Sequence, residues 1–576
     1  MTPNPISELS PWQRTRLLLV GYVLYVLGGP GMLFPGGTPM GALGLVFWAL
    51  AASRPGPKKK RIEWLLGGAA LLAQTAWMGI VFWFSLLWLF VGFGCWSVWG
   101  GWWMKRLGAR YPLALATPLA WIGFESLLAW TPPPIGLSWL RLGHYMAEFP
   151  GLAGSGRVWG VMGLGFALAA LAGLIADMLR LRGLRVGAFA WCAGLGPSVL
   201  GLLLGFIVEA PETVPGPTVM LVQPNVAQAR KQQSESRSDL FWESLQATSD
   251  SLQELSKEKA PAPHLVVWSE SMFPSLLADP ALEDVIKDLE IDPWNPLGQV
   301  PPERLDTVVW SLGTTEADIL RHFFGGQSEG RELEGLLPEG ASFFCGAEML
   351  KAHEGRLRRM NTAMCWRGGE RTGFGVKQHL APGGETMVGL EEFRWVRDII
   401  YAVANYIPDF LAGEQTAVLP LKGSNGESWP FSVSVCFDNS FTDVYASALR
   451  AQDVDFHLVV SNEAWYLDSQ EFDQMVAFSR MHALCTGRAF LRCANSGVSG
   501  AWDAAGRELD RLRVGGLDRQ IEGALTVTLP VPSAVDAKNR TPFVWLQPWL
   551  LPLGALLPLI FGLRRKRVLR NDLEEA

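Results

Sequence analysis

The sequence predicts a chain in two parts: a multi-pass α-helical membrane bundle of about eight helices, and an α/β domain outside the membrane that leads into the last of those helices. Three observations predict it. Charged residues make up only 18% and mean hydropathy is +0.17 despite a polar second half, so the first two hundred residues must be strongly apolar. Most of the 26 tryptophans also fall there, in clusters such as Trp99, Trp102 and Trp103, as in the aromatic belts of membrane interfaces. Beyond Pro211 the pattern changes to short β-branched runs alternating with polar helical stretches, which is the pattern of an α/β domain. At 576 residues the chain has room for both parts.

Apolar segments near the roughly 17–25 residues needed to span a bilayer run over 14–34, 38–53, 62–80, 82–103, 112–130, 158–177, 187–207 and 543–563. Basic clusters at Arg14 and Arg16, Lys58–Arg61, Lys105–Arg106, Arg180 with Arg182 and Arg185, and Arg564–Arg567 fall on every second side of that count. The positive-inside rule assigns that side to the cytoplasm. The expected organisation is a membrane bundle over 1–207, an extracytoplasmic domain over 208–540, and a final helix with a basic cytoplasmic tail over 541–576. The first segment has no small-residue cleavage site and is expected to stay as a helix. Glu125 is the only carboxylate deep inside an apolar segment, a costly place that points either to a partner on a neighbouring helix or to a lipid-headgroup site.

The net charge of −6 and pI near 5.8 give no support to nucleic-acid binding, which calls for a basic face. Seven cysteines form no CxxC pair and no zinc-like spacing with histidine, so nothing points to a metal or cofactor. An extracytoplasmic domain with unpaired thiols suits a cysteine kept for chemistry, although a disulfide within that domain stays open.

Within 208–540, a strand is expected at Thr218–Asn225, a polar helix over 228–257, and a strand from His264 that ends at Glu270. Residues 275–340 are rich in turn formers and read as a peripheral insertion, with only Thr307–Trp310 strand-like. Strands follow at Ser342–Gly346 and Asn361–Trp366, and another leads to Lys377. After it the Pro382–Gly384 turn can bring Glu385 back toward the lysine. Phe431–Val435 is a buried strand that delivers Cys436, followed by Phe437 and Asp438. Phe456–Trp465 repeats that plan, a helix covers 470–488, and short strands at 489–493, 500–503 and 524–529 close the domain.

Glu270, Lys377 and Cys436 at three strand ends make a workable acyl-transfer set. The thiolate attacks, a carboxylate accepts its proton, and a cation steadies the oxyanion.

The order Trp268-Ser269-Glu270, Lys377 through Glu385 and Cys436-Phe437-Asp438 resembles the nitrilase (carbon–nitrogen hydrolase) superfamily with its Glu-Lys-Cys triad. The membrane segments narrow the resemblance to the apolipoprotein N-acyltransferase family. It extends through Trp121–Glu125, Gly136–Tyr145, Val222–Asn225, Ser461–Tyr466 and Arg492–Ser499. Phe437 and Asp438 stand where that family usually has tyrosine and glutamate.

The resemblance implies a nitrilase-like αββα sandwich on an eight-helix bundle in the inner membrane. It also implies two acyl-transfer steps through a thioester on Cys436. The donor would be a phospholipid of the bilayer, and the acceptor the amino group of an apolipoprotein's diacylglyceryl-cysteine. Glu270 would be the base, Lys377 and the Phe437 N–H the oxyanion donors, and Glu385 a second carboxylate that orients the lysine or helps the base. A membrane-anchored amidase that passes the thioester to water, and a non-catalytic scaffold with Cys436 and Lys377 merely packed, remain open alternatives.

Overall fold

A computed structural model describes residues 9–32, 37–54, 60–81, 83, 85–131, 137–181, 186–231, 237–273, 277–280, 335–353, 356–390, 393–404 and 408–563. Most of the expected 275–340 insertion, including Thr307–Trp310, lies outside the described residues. So do Lys58, Lys59, Arg182, Arg185 and Arg564–Arg567. The chain divides into two compact units, one of Met1–Gly79, Trp83–Ile207 and Leu546–Ala576, the other of Ile80–Phe82 and Val208–Trp545.

Long helices stand at every predicted apolar segment: Pro11–Leu27, Thr38–Ser53, Lys60–Gln74, Ser85–Gly108, Leu113–Trp130, Gly156–Arg180, Ala188–Ile207 and Pro542–Leu563. Four of these are long and apolar enough on their own to cross a membrane: Leu113–Trp130, Gly156–Arg180, Ala188–Ile207 and Pro542–Gly562. Thr38–Ser53 is apolar but has only 16 residues, and Lys60–Gln74 begins with Lys60, Arg61 and Glu63. The first two helices approach through glycine. A Cβ on Gly44 would lie 2.7 Å from the Tyr25 amide nitrogen, so the small residue is what permits the close crossing.

Glu125 turns out to be held inside the helical unit. Its Oε1 accepts from Trp121 Nε1 at 2.8 Å and from the Leu142 N–H at 2.9 Å. The Tyr25 hydroxyl of the first helix donates to the same oxygen at 3.4 Å, which favours a partner on a neighbouring helix over a headgroup site. Glu63 and Asp177 are buried as well, near helix ends that the apolar pattern had marked as boundaries.

The second unit is a four-layer αββα sandwich. One sheet runs β13 (Gly523–Pro532), β1 (Thr213–Gln223), β2 (Leu265–Trp268), β4 (Ser342–His353), β5 (Arg356–Arg367), β6 (Glu370–Val376), with β3 (Leu277–Ala278) beside β4. The other runs β12 (Glu508–Arg511), β11 (Gly500–Trp502), β10 (Ala489–Ala494), β9 (Phe456–Ser461), β8 (Ser428–Val435), β7 (Val418–Lys422). The middle strands are parallel in both sheets, β1 with β2 and β4, and β8 with β9 and β10. That is why they read as unbroken apolar runs, since each is buried on both faces.

Period-two alternation assigns the faces. Val219 and Leu221 of β1, Phe344, Phe431, Leu458 and Leu491 meet between the sheets, where Phe431 stacks on Phe456 with centroids 5.2 Å apart. Met220 and Val222 point to the opposite face, packed with Leu240 and Phe241 of helix Arg237–Glu258. On the far side of the other sheet, Val459 and Phe490 pack against Tyr445 of helix Thr442–Ala451 and Phe472 of helix Glu471–Thr486. These helices are the crossovers that parallel neighbours require, and they leave the C-terminal ends of β2 and β8 free to carry side chains.

Candidate active site

Cys436 follows β8 directly and begins the 3-10 turn Cys436–Ser440. Its φ is +50°, a left-handed conformation that costs a non-glycine residue on the order of 1–3 kcal/mol unless its surroundings hold it. Asp438 does the holding. Its carboxylate accepts from the Val435 N–H at 3.2 Å, and from the Gln378 and His379 N–H groups at 3.1 and 2.8 Å. The shorter aspartate reaches all three and ties the cysteine turn to the segment just after Lys377.

Glu270 lies two residues past β2, and the next residue, Ser271, also has a positive φ, +53°. The chain bends there over Gly346, where a Cβ would come within 2.6 Å of the Ser271 nitrogen, so only glycine fits. The Met272 and Phe273 N–H groups donate to the Gly346 carbonyl at 3.1 and 3.2 Å, fixing the bend.

Lys377 follows β6 and is almost wholly buried. Its Nζ lies 2.8 Å from Glu385 Oε2 and 3.8 Å from Glu270 Oε1. The turn after Pro382 therefore does return Glu385 to the lysine, and the Ala381 N–H donates to Glu385 Oε2 at 2.7 Å. Phe437 is buried with its ring edge-on to Phe441, centroids 5.2 Å apart.

Two further residues join the set, and neither was singled out in the sequence. The Asn361 Nδ2 donates to Glu270 Oε1 and to Glu385 Oε1, both at 2.7 Å. The Lys231 Nζ donates to the Glu270 backbone carbonyl at 2.7 Å. Asn361 had a visible signal, a single amide in the otherwise apolar middle of β5, but its partners come from segments far away in the chain. Lys231 sat in a stretch that reads as a charged surface helix and left no signal.

Burial pushes the Cys436 thiol well above its ordinary value, with the Glu270 charge adding to the rise and Lys377 opposing it. Burial likewise raises Glu270, opposed by Lys377 and reinforced by Glu385. For Lys377 burial works against the charge, yet Cys436, Glu385 and Glu270 outweigh it and hold the ammonium above the usual lysine value. Lys231 is lowered by burial to about 8, although Glu270, Cys345, Glu463 and Cys436 pull it upward. The resting site is thus a neutral thiol beside a fixed cation and a carboxylate whose charge it feels. All seven cysteines are free thiols, and among the described residues no cluster of histidine, cysteine or carboxylates is grouped to hold a metal.

None of the known protein-family models matches the chain. Individual relatives do. An apolipoprotein N-acyltransferase from Azotobacter vinelandii is 28% identical over 511 residues, covering 87% of this chain and 81% of its own length. Another, from Allorhizobium ampelinum, is 24% identical over 605 residues and covers 96% and 97%. This chain is a relative of the apolipoprotein N-acyltransferases. The resemblance read from its motifs therefore stands, and with the Allorhizobium relative it extends over helical unit and sandwich alike. Among solved structures, an amidase of the nitrilase superfamily from Nesterenkonia AN1 matches with a TM-score of 0.33 and 16% identity, over 57% of this chain and 94% of that one. The αββα description rests on this chain's own two sheets and not on that match.

Proposed function

We propose that the protein is an apolipoprotein N-acyltransferase that works through a thioester on Cys436. The observation carrying this reading is the convergence of Glu270, Lys377 and Cys436 at three strand ends, with Lys377 Nζ 3.8 Å from Glu270 Oε1 and the charges of Glu270 and Lys377 both acting on the thiol. The relatives' shared name supplies the acceptor class.

In the first step Glu270 takes the proton from Cys436 as sulfur attacks the ester carbonyl of a phospholipid. The oxyanion is held by Lys377 Nζ and the Phe437 N–H. The tetrahedral species collapses, the C–O bond breaks, and the lysophospholipid oxygen leaves with the proton from Glu270. In the second step the amino nitrogen of a diacylglyceryl-cysteine attacks the thioester. Glu270 takes its proton, the C–S bond breaks, and the thiol is restored as the amide forms. Glu385 keeps Lys377 charged and in place.

Both substrates are lipids, which is the use we assign to the helical unit as a membrane bundle. The alternation of basic clusters supports placing the 208–540 domain on the extracytoplasmic face of the inner membrane.

Intact-protein mass spectrometry after incubation with phospholipid vesicles tests the chemistry. A single acyl adduct is expected that hydroxylamine removes and Cys436→Ala lacks. No adduct, with the phospholipid intact, would overturn the donor and favour an amidase.

A further inference from the structure

We infer that Asn361 is the positioning residue of this site, its one side-chain amide spacing the two carboxylates around Lys377 so that Glu270 faces the thiol instead of collapsing onto the ammonium. The inference rests on the thioester reading above and adds to it a residue with a stated task.

Asn361 lies on β5, and its backbone carbonyl accepts from the Lys377 N–H at 2.9 Å. Through backbone and side chain it therefore touches three of the groups that matter: Lys377, Glu270 and Glu385. A side-chain amide has two N–H bonds to give, and both are used, one to each Oε1 at 2.7 Å. Such short bonds from a neutral donor to carboxylates are charge-assisted and directional. The Oδ1 end is buried and has no hydrogen-bond partner among the described residues. That cost is accepted in one orientation only, because turning the amide over would aim its oxygen at two carboxylates.

The charge count explains why an amide suits the position. Two carboxylates share one ammonium, and the sharing is unequal, 2.8 Å to Glu385 against 3.8 Å to Glu270. At 3.8 Å Glu270 has a charge neighbour but no hydrogen bond from it. Without the Asn361 donor, Glu270 would satisfy itself by closing on Lys377 or by taking up a proton, and either way it would cease to be a base for Cys436. A cation at position 361 would clamp the base, and an acid would add repulsion. Only a neutral double donor holds both carboxylates and leaves their charges unchanged. The other titratable groups facing this set are Lys231 on the Glu270 carbonyl, Glu463 and Tyr466 on the turn after β9, Asp438 and His379 near Lys377, and Glu348, which lies opposite Asn361 on β4 and pairs with Arg359 at 3.4 Å.

The test compares wild type with Asn361→Ala, Asn361→Ser and Asn361→Asp as full chains in detergent or vesicles, each with a thermal midpoint to confirm folding. The first readout is the pH dependence of iodoacetamide alkylation at Cys436, located by peptide mass, which needs no acyl substrate. Asn361→Ala is expected to move the acidic limb to higher pH, because Glu270 has lost a donor to its ionised form. The second readout is acylation from phospholipid, where kcat should fall roughly 10- to 100-fold with KM within about twofold. Asn361→Asp should fall further than Asn361→Ala. An unmoved alkylation limb in a folded Asn361→Ala, or full rescue by Asn361→Ser with no shift, would overturn the inference and leave a packing role. Should wild type alkylate as expected but never accept an acyl group, the functional reading fails while the alkylation arm still decides Asn361.

Discussion

Lys377 and Arg492 are both buried cations set among two carboxylates, yet the two clusters settle differently. Around Lys377 the carboxylates of Glu385 and Glu270 stand at 2.8 and 3.8 Å, bridged by the Asn361 amide, and a thiol waits beside one of them. Around Arg492 the guanidinium commits to Glu463, while both oxygens of Glu471 lack any hydrogen-bond partner among the described residues. The ammonium is a compact charge that two acids can share, whereas the guanidinium reaches Glu463 through Nη2 alone and leaves Glu463 Oε2 without a hydrogen-bond partner among the described residues. The same charge count thus yields a shared cation next to a thiol in one place and an ion pair beside an unpartnered acid in the other.

Removing each cation should break this comparison most visibly. Lys377→Met is expected to lower acyl-enzyme formation by at least about 100- to 1000-fold, the scale of losing an oxyanion donor, with the protein still folded. Arg492→Met leaves Glu463 buried without its counter-charge and should destabilise the sandwich by about 3–5 kcal/mol. Thermal midpoints and single-turnover thioester yields, measured on both variants, separate the two outcomes. A Lys377→Met protein that melts far below wild type would make the first cluster structural too.

The pH profile sharpens the contrast next. Glu270 must be ionised to take the thiol proton, and burial raises it above its ordinary 4.5. Acyl-enzyme formation should therefore fall, as pH drops, from a higher pH than an exposed carboxylate would give. Glu270→Gln should be nearly inactive and show no such limb. A limb at the ordinary carboxylate value in wild type would mean that the site is wetter than its geometry indicates.

Much of this was readable in the residues. β8 and its cysteine, the strand ending at Glu270, and the Pro382 turn that folds Glu385 back to Lys377 are local patterns, and local patterns show in a single chain. The eight helical segments were visible because spanning length and apolarity are summed over neighbours. What escaped depends on pairing between distant segments. Asn361 matters only once β5 lies beside β6 and Glu270 arrives from β2. Lys231 counted as one more surface charge until the chain after β1 placed it on the Glu270 carbonyl. Glu471, first in a helix that begins with acidic residues, is ordinary in sequence and unusual only in being buried. Asp438 stands where the resembled family usually has the longer glutamate, and the structure shows it accepting three backbone bonds across the cysteine turn.

The smallest expected effect is at Glu471, and its sign is informative. Burial raises this carboxyl well above its ordinary 4.5, Glu463 raises it further, and Arg492 only partly opposes them, so the folded protein holds its proton to a higher pH than the unfolded chain does. In the unfolded chain it ionises near that ordinary value. Folding then takes up a proton above pH 4.5, and stability from this group falls with rising pH at up to about 1.4 kcal/mol per unit, until the folded group itself ionises. Glu471→Gln replaces a neutral acid by a neutral amide of the same shape and removes that dependence. Its thermal midpoint should equal wild type near pH 4.5 and exceed it increasingly toward pH 8. The same substitution at Glu463, whose charge is matched by Arg492, should lower the midpoint throughout that range. If Glu471→Gln instead destabilised the protein at pH 8, the acid would have to be ionised and shared with Arg492, and the two clusters would differ only in which one carries the cysteine.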